Sequence, residues 1–153
     1  MEIKAVIFDW GRTLYDSIKK KEFSEAYDVL EHCRKRGYRL AVVSLVTGHA
    51  NSTLEERKNA IEQSPLRKYF EIALVTDKDK DDKFDEVVAY FNLPRTSICI
   101  IDDRVIRGIR YGNFYGHPTI WFQNGKFANE LPDKTTGIPT YTITSLGELL
   151  KIL

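Results

Sequence analysis

The chain alternates short runs of consecutive apolar residues with segments in which apolar residues recur every three or four positions. Consecutive apolar positions are typical of a strand covered on both faces, and the longer spacing is typical of a helix with one buried face. Five runs predict strands, and a shorter sixth run is a further candidate: residues 5–8, 39–45, 70–75, 97–101, 118–122 and 141–143. The helices predicted between and after them cover about 16–37, 53–63, 84–91 and 105–111. A capping box that begins at Ser52 opens the second of these, and a last helix begins at the capping box that Ser145 opens.

Strands that alternate with helices indicate an α/β fold with a parallel sheet. With right-handed crossovers, the simplest arrangement is a doubly wound, Rossmann-like sheet of order 3-2-1-4-5, extended by the short sixth strand if it forms. A chain of 153 residues fits one domain over 1–153. In this order the first and fourth strands are neighbours and the winding direction reverses between them, so ligands are expected at their carboxyl ends.

Acidic residues follow both of these strands. Asp9 follows the first apolar run, Asp102 and Asp103 follow the fourth, and Ser44 lies near the end of the second. Three carboxylates that lie close together raise one another's pKa unless a cation lies between them. Mg²⁺ fits such a site, because it takes oxygen ligands and keeps several waters for a phosphate-bearing partner. The sequence therefore predicts a magnesium site at this edge.

The charge balance excludes some classes of partner. Lys and Arg number 23 against 22 Asp and Glu, which gives a net charge of +1 and no global field for nucleic acid or an anionic membrane. No segment approaches the roughly 20 apolar residues that span a bilayer, and the amino terminus lacks a signal-peptide pattern. We therefore expect a cytoplasmic protein, with Cys33 and Cys99 as buried, reduced thiols.

Several separated motifs resemble those of the haloacid-dehalogenase-like (HAD) hydrolase superfamily over nearly the whole chain. Residues 8–16, Phe-Asp-Trp-Gly-Arg-Thr-Leu-Tyr-Asp, resemble the first motif, Asp-x-Asp-x-Thr-Leu-x-Asp, with Asp9 in the place of the nucleophile. Ser44 matches the second motif, and residues 100–103, Ile-Ile-Asp-Asp, resemble the fourth. Lys78 has the spacing of the third motif's lysine, with Lys80 and Lys83 as alternatives.

This resemblance implies a Mg²⁺-dependent phosphohydrolase that acts through an aspartyl-phosphate on Asp9. A carboxylate that attacks phosphorus splits one hydrolysis into two easier steps. Ser44 and Lys78 would take part in catalysis by binding the transferred phosphoryl group, and Trp10 would contact the substrate. Mg²⁺ and the lysine would neutralise the phosphate dianion during the attack.

The metal ligands implied by the resemblance are Asp9, the backbone carbonyl of Gly11 and Asp103, with Asp102 as a further ligand. Phosphatases of the superfamily carry a second Asp, the general acid and base, at the position of Gly11. General acid-base catalysis contributes typically 10²–10⁴-fold, so we expect slow turnover of alcohol-derived phosphates. The metal can still bind, because glycine keeps the backbone carbonyl.

Two further departures concern the surroundings of the site. An additional acid often follows the fourth motif by four or five residues, and here those positions are Arg107 and Gly108. The intervals between the motifs are also too short for the cap domain that many members carry. We therefore expect an open cleft, which in this superfamily indicates a large phosphorylated substrate or closure by a partner subunit in an oligomer.

Two alternative functions remain open from the sequence. Superfamily members that cleave carbon–halogen bonds use an Asp nucleophile without the second Asp and without Mg²⁺; Gly11 favours this class, while Asp103 and the missing cap oppose it. The other alternative is a non-catalytic scaffold that binds phosphate compounds or a protein. Its contacts would come from aromatic residues, namely Trp10, Phe114, Tyr115 and Trp121.

Overall fold

A computed structural model describes residues 2–47 and 53–153. In chain order its strands are β1 (Ala5–Phe8), β2 (Tyr15–Asp16), β3 (Lys21–Glu22), β4 (Arg39–Leu45), β5 (Ile72–Thr76), β6 (Ile98–Asp102), β7 (Thr119–Phe122) and β8 (Tyr141–Ile143). The α-helices are α1 (Ser24–Lys35), α2 (Leu54–Glu62), α3 (Asp81–Phe91), α4 (Arg110–Tyr115) and α5 (Leu149–Ile152).

Six of the strands form one parallel sheet in the order β5-β4-β1-β6-β7-β8. When only the six strands of this sheet are numbered in chain order, the arrangement is 3-2-1-4-5-6. The predicted doubly wound fold is therefore confirmed, and the short sixth strand is present. The chain winds outward from β1 to β5 and then returns to β6 on the other side of β1. The carboxyl ends of β1 and β6 therefore border the crevice where the winding reverses.

Alternate residues of the central strand face two different cores. Val6 and Phe8 pack in the larger core, which α1 and α5 cover, and Ala5 and Ile7 pack in the smaller core, which α3 and α4 cover. All four side chains are fully buried. Burying an apolar side chain of the size of Phe8 contributes roughly 1.5–3 kcal/mol, so the central strand is a rigid support for the residue that follows it.

The segment after β1 differs from the predicted helix at about 16–37. Asp16 begins a turn instead of a helix, because its Oδ1 accepts hydrogen bonds from the backbone N–H groups of Ile18 (2.9 Å) and Lys19 (3.2 Å). This turn joins β2 and β3 in an antiparallel hairpin, and α1 begins only at Ser24. Asx turns of this kind compete with helix initiation.

The observed starts of the later helices can be compared with the capping residues and helix ranges predicted from the sequence. The capping box of Ser145 and Glu148 is present at the start of the last helical segment. Ser52, which was expected to cap the second helix, lies outside the described residues, and Thr53 Oγ1 accepts a hydrogen bond from the Glu56 N–H at the start of α2. The helix predicted at 105–111 is present, as a wide π-helical turn at Val105–Ile109 that continues directly into α4.

The carboxyl edge of the sheet carries only short connections in the part of the chain that the structure describes. A hairpin and one helix join β1 to β4, and α2 with a short 3₁₀ turn (Arg67–Tyr69) lies between β4 and β5. Neither connection contains a separate cap domain among the described residues. No helix within 2–47 and 53–153 combines the length and apolar character needed to cross a membrane.

Candidate active site

Asp9 lies at the carboxyl end of the central strand, where a tight turn follows it. Its backbone N–H donates to Ile101 O of β6 (3.0 Å), which holds it at the crevice. The turn closes on Trp10 O, which accepts from the N–H groups of Leu14 (2.9 Å) and Tyr15 (3.0 Å). Thr13 Oγ1 donates to Asp9 Oδ2 (3.1 Å). The first motif therefore both positions and orients the Asp9 carboxylate.

Lys80, and not Lys78, is the lysine that reaches this carboxylate. Its Nζ donates to Asp9 Oδ1 and to Asp102 Oδ2, both at 3.0 Å, and its side chain is only 2% exposed. The sequence prediction of Lys78 is corrected here: its side chain is exposed, and its backbone N–H donates to Thr76 Oγ1 (3.1 Å). The reason is the loop, which runs two residues past Lys78 before α3 begins. Of the alternatives named from the sequence, Lys83 pairs with Glu86 on the surface instead.

Asp102 is a buried carboxylate whose two oxygens are both engaged. Oδ1 accepts from the Arg104 N–H (3.0 Å), and Oδ2 accepts from the Gly108 N–H (2.9 Å) as well as from Lys80. A Cβ atom at Gly108 would lie 2.5 Å from Asp102 Oδ2. Glycine thus lets the wide turn after β6 close onto the carboxylate, so the absence of an acid at this position has a steric reason.

Asp103 is fully buried and only half satisfied. Its Oδ2 accepts from Arg12 Nε (2.9 Å), while Oδ1 has no hydrogen-bond partner among the described residues. Burial, together with the charges of Asp9 and Asp102, raises the pKa of Asp103 to about 9. A buried carboxylate oxygen without a partner is costly, and a cation is one way to satisfy it.

The charges within the cluster set the protonation of its other members. Burial alone would raise the pKa of Asp9, but Lys80 and Arg12 hold it below its usual value. Burial opposes the charged form of Lys80, yet Asp102 and Asp9 raise its pKa. We call Asp9, Asp102, Asp103 and Lys80 the carboxyl-edge cluster. Its three acids each offer an oxygen within 4.8 Å of the others, so they can hold a metal ion.

Ser44 lies near the end of β4, as predicted, and is fully buried. Arg57 of α2 reaches it, with Nη1 donating to Ser44 Oγ at 2.8 Å. Sequence reasoning did not single out Arg57. A usable signal existed, because a helix that follows a parallel strand begins at the carboxyl edge, where a long basic side chain in its first turns reaches the ligand side.

Gly11 and Trp10 differ in how they can serve the site. Gly11 borders Arg57, and a Cβ built on it would lie in ordinary contact with Nη1 at 3.6 Å. The left-handed residue in this turn is Arg12, with φ of 64°. Trp10 is 1% exposed and stacks on Tyr15 with ring centroids 6.1 Å apart. Its ring packs in the core and also borders the groove described next, so the substrate contact expected of Trp10 stays a prediction.

A groove of about 740 Å³ opens beside the cluster. Its basic lining residues are Arg12, Lys20, Arg57 and Lys126. Asp16 is the acidic residue among the residues that line it, and its Oδ1 is already engaged in the turn. The groove is thus positively charged and borders the turn after Asp9 through Trp10 and Arg12, an arrangement that suits an anionic ligand.

The sheet is parallel and doubly wound, Asp9 follows its central strand β1, and Lys80 links Asp9 to Asp102 at the end of the neighbouring strand β6. Together with the matching family, these features define a hydrolase of the HAD superfamily. The sequence model described as mitochondrial PGP phosphatase matches residues 1–126, and the chain belongs to that family. A comparison with curated proteins gave no significant match.

Solved structures share the fold at low sequence identity. YfnB from Bacillus subtilis, a HAD-hydrolase bound to magnesium, superposes with a TM-score of 0.76 at 14% identity, covering 99% of each chain. D,D-heptose 1,7-bisphosphate phosphatase from Burkholderia thailandensis gives 0.75 at 15% identity, covering 97% of each chain. L-2-haloacid dehalogenase from Xanthobacter autotrophicus gives 0.75 at 10% identity, covering 98% of each chain. A phosphatase and a dehalogenase thus share this fold with the chain.

Proposed function

We propose that this protein is a phosphohydrolase that forms an aspartyl-phosphate on Asp9. The observation that carries the proposal is the Asp9 carboxylate itself, ionised beside a buried lysine, with a basic groove bordering the turn that follows it. The phosphatase description of the matching family supports the same activity. Dehalogenases of the superfamily also use an aspartate nucleophile. The substrate that is turned over therefore distinguishes a phosphohydrolase from a dehalogenase.

The residues of the site would divide the work of phosphoryl transfer. An Asp9 oxygen would bond to phosphorus as the bond from phosphorus to the leaving oxygen breaks. Water would then release inorganic phosphate and restore the carboxylate. The Ser44 hydroxyl would orient the phosphoryl oxygens, and Lys80 would neutralise charge in the transition state. In this proposal Lys80 takes the role that the sequence prediction gave to Lys78.

We also propose that Mg²⁺ binds at this site. Asp103 Oδ1, which accepts no hydrogen bond from the part of the chain that the structure describes, and the nearby Asp9 carboxylate are hard oxygen ligands of the kind that Mg²⁺ prefers. The Gly11 carbonyl adds a third. Asp102 fits this role less well, since its oxygens already accept from Lys80 and two backbone N–H groups. When bound, the ion would supply charge neutralisation for the phosphate dianion.

Carbon–halogen hydrolysis is the second candidate, and Gly11 favours it because dehalogenases of the superfamily need no acid at that position. The acidic cluster opposes it, since a metal-free dehalogenase has no use for a buried Asp103. A binding scaffold without turnover is the third. In each case the open groove would leave room for a large anionic partner.

A panel of phosphate esters and 2-haloacids, each measured with and without Mg²⁺, tests the proposal. We expect phosphate release that requires Mg²⁺ and is lost by more than about 10³-fold in Asp9→Asn, because an amide cannot form the acyl-phosphate. Asp28→Asn, an exposed change on α1, is the matched control and should leave the rate unchanged. Halide release without Mg²⁺ would replace the proposal by the dehalogenase function, and inactivity on all substrates would favour the scaffold.

A further inference from the structure

Arg57 is a half-buried cation beside the active site, and within 2–47 and 53–153 it has no acidic partner. Its Nη1 donates to the neutral Ser44 Oγ, and no carboxylate of the described residues lies within 4.0 Å of its nitrogens. Arg12 and Arg110, in contrast, pair with Asp103 and Asp81. A guanidinium has five N–H donors, so several remain for a ligand. A partly desolvated guanidinium with spare donors is typical of an anion-binding group.

The position of this guanidinium coincides with the missing acid. A Cβ on Gly11 would lie 3.6 Å from Nη1 and 3.9 Å from Nη2, so any side chain at position 11 would project against Arg57. Both Arg57 and Arg12 also line the 740 Å³ groove. Arg57 therefore borders both the turn that follows the attacking carboxylate and the groove in which the rest of a substrate would extend.

We propose that Arg57 takes the place of the absent acid by stabilising the leaving group as an anion, and that the substrates are phosphate compounds whose leaving group departs without a proton. This inference rests on the phosphohydrolase function proposed above. The class comprises acyl phosphates, phosphoanhydrides and phosphates of acidic phenols. Alkyl phosphates are poor substrates, because an alkoxide needs a proton that an arginine does not give up at neutral pH.

The chemical step balances without an acid for this class. The Asp9 carboxylate forms a bond to phosphorus, and the electron pair of the breaking bond goes to the leaving oxygen. That oxygen departs as a carboxylate, phosphate or phenolate, and the Arg57 guanidinium offers it a charge-assisted hydrogen bond. Water then hydrolyses the aspartyl-phosphate, and its proton passes to the phosphate product or to solvent.

The test is the dependence of turnover on the pKa of the leaving group. The substrates are acetyl phosphate, pyrophosphate, a series of aryl phosphates of graded phenol pKa, and glycerol 2-phosphate, all assayed with Mg²⁺. We expect kcat/KM to fall steeply as the leaving-group pKa rises, with the alkyl phosphate slower than acetyl phosphate by about 10²-fold or more.

Variants at Arg57 test whether its guanidinium is the group that stabilises the leaving group. Arg57→Gln should lower kcat by about 10²-fold, the loss typical of one preorganised charge donor, with the greatest loss for the less acidic phenols. Arg57→Lys should recover part of the rate, because it restores the charge without the fork of donors. Lys58→Gln removes one charge from the next residue of the same helix, where the lysine is exposed and faces Glu55, and should behave as the wild type. Thermal unfolding of each variant confirms that it is folded.

The outcomes separate this inference from the proposed function. If the wild type hydrolyses glycerol 2-phosphate as fast as acetyl phosphate, the phosphohydrolase function stands and the role of Arg57 is overturned. An equal rise in KM for every substrate in Arg57→Gln, with kcat unchanged, would also overturn it, because Arg57 would then only bind the phosphoryl group. If no phosphate compound reacts, the proposed function fails and the inference fails with it.

Discussion

Two polar clusters lie at opposite edges of the same sheet and differ in how completely their polar side chains are hydrogen-bonded. The amino-edge cluster consists of Asp85, Arg95, Tyr111 and His117, and it lies near the starts of β6 and β7. Arg95 Nη1 donates to Tyr111 Oη (3.0 Å) and to His117 Nε2 (3.1 Å), and Tyr111 Oη donates to Asp85 Oδ1 (2.5 Å). His117 Nδ1 completes the network by donating to Ile98 O (2.9 Å).

The carboxyl-edge cluster has the opposite character. It holds three acids against one buried lysine, leaves Asp103 Oδ1 without a partner among the described residues, and is reached through Arg12 in a left-handed conformation. Strain and unsatisfied groups persist where the surrounding structure imposes them, and they are common at functional sites. The comparison teaches that the amino edge is a hydrogen-bonded network, whereas the carboxyl edge retains the groups that the proposed metal and substrate would use.

The largest change should follow from removing the cation of the carboxyl-edge cluster. Lys80→Met would leave Asp9 and Asp102 buried without their counter-ion, and the loss of one partner of a buried ion pair typically costs 3–5 kcal/mol of folding stability. Urea unfolding would measure it. Lys78→Met changes the same residue type in an exposed position and should leave the free energy of unfolding within about 0.5 kcal/mol of the wild type. Equal effects of the two substitutions would contradict the assignment of Lys80.

The next effect concerns the position of the missing acid. Gly11→Asp alone should raise alkyl-phosphate turnover little, because the new carboxylate would meet Arg57 and form an ion pair with it. Adding Arg57→Gln would free that acid, and the double variant should exceed the Arg57→Gln single variant by up to about 10²-fold on glycerol 2-phosphate. Initial rates of phosphate release measure both steps. A folded Gly11→Asp protein that already gains this much would show that Arg57 does not hold the carboxylate.

Magnesium should stabilise the protein through the carboxyl-edge cluster only. Binding to the folded state raises stability by RT ln(1 + [L]/Kd), about 2.7 kcal/mol at a hundredfold excess over Kd. Thermal unfolding from zero to tens of millimolar Mg²⁺ should therefore show a rising Tm, and Asp103→Asn should remove the rise. Asp85→Asn, the matched change in the amino-edge cluster, should keep it. A Tm that does not move with Mg²⁺, even with phosphate present, would count against the metal site.

The smallest effect is expected at the amino edge. Tyr111→Phe removes the hydroxyl that links Arg95 to Asp85, and the loss of such a hydrogen bond costs about 1 kcal/mol. Urea unfolding should show this loss while phosphate release stays at the wild-type rate, since Tyr111 lies away from Asp9. Lower turnover in a stable Tyr111→Phe protein would mean that the two clusters are coupled.

Much of the fold was predictable because buried strands leave a direct trace in the sequence. The stretches 5–8, 40–43 and 98–101 are apolar at every position and fully or almost fully buried, as is typical of a strand covered on both faces. Asp9, Ser44 and Asp102 could be placed at one edge for the same reason, since each directly follows such a stretch and parallel strands end together.

The remaining features depend on loop geometry and on tertiary contacts. The segment 77–83 alternates Asp and Lys, so its charge pattern gives no periodicity that would select Lys80 over Lys78. The hairpin formed by β2 and β3 depends on a side-chain turn at Asp16 that competes locally with a helix. Arg57 gains its position from the packing of α2 beside Ser44, a contact between separate elements.

The close approach of Gly108 to Asp102 also limits how this protein can change. An acid placed at position 108 by a single substitution would put its Cβ 2.5 Å from Asp102 Oδ2, and three hydrogen bonds hold that carboxylate in place. The Asp102 carboxylate or the turn after β6 would therefore have to move in the same step. A second change would have to accompany the first for the acid to be accommodated. In an evolution experiment that selects for faster phosphatases, we therefore expect gains to arise first at position 11 together with position 57, and position 108 to remain glycine.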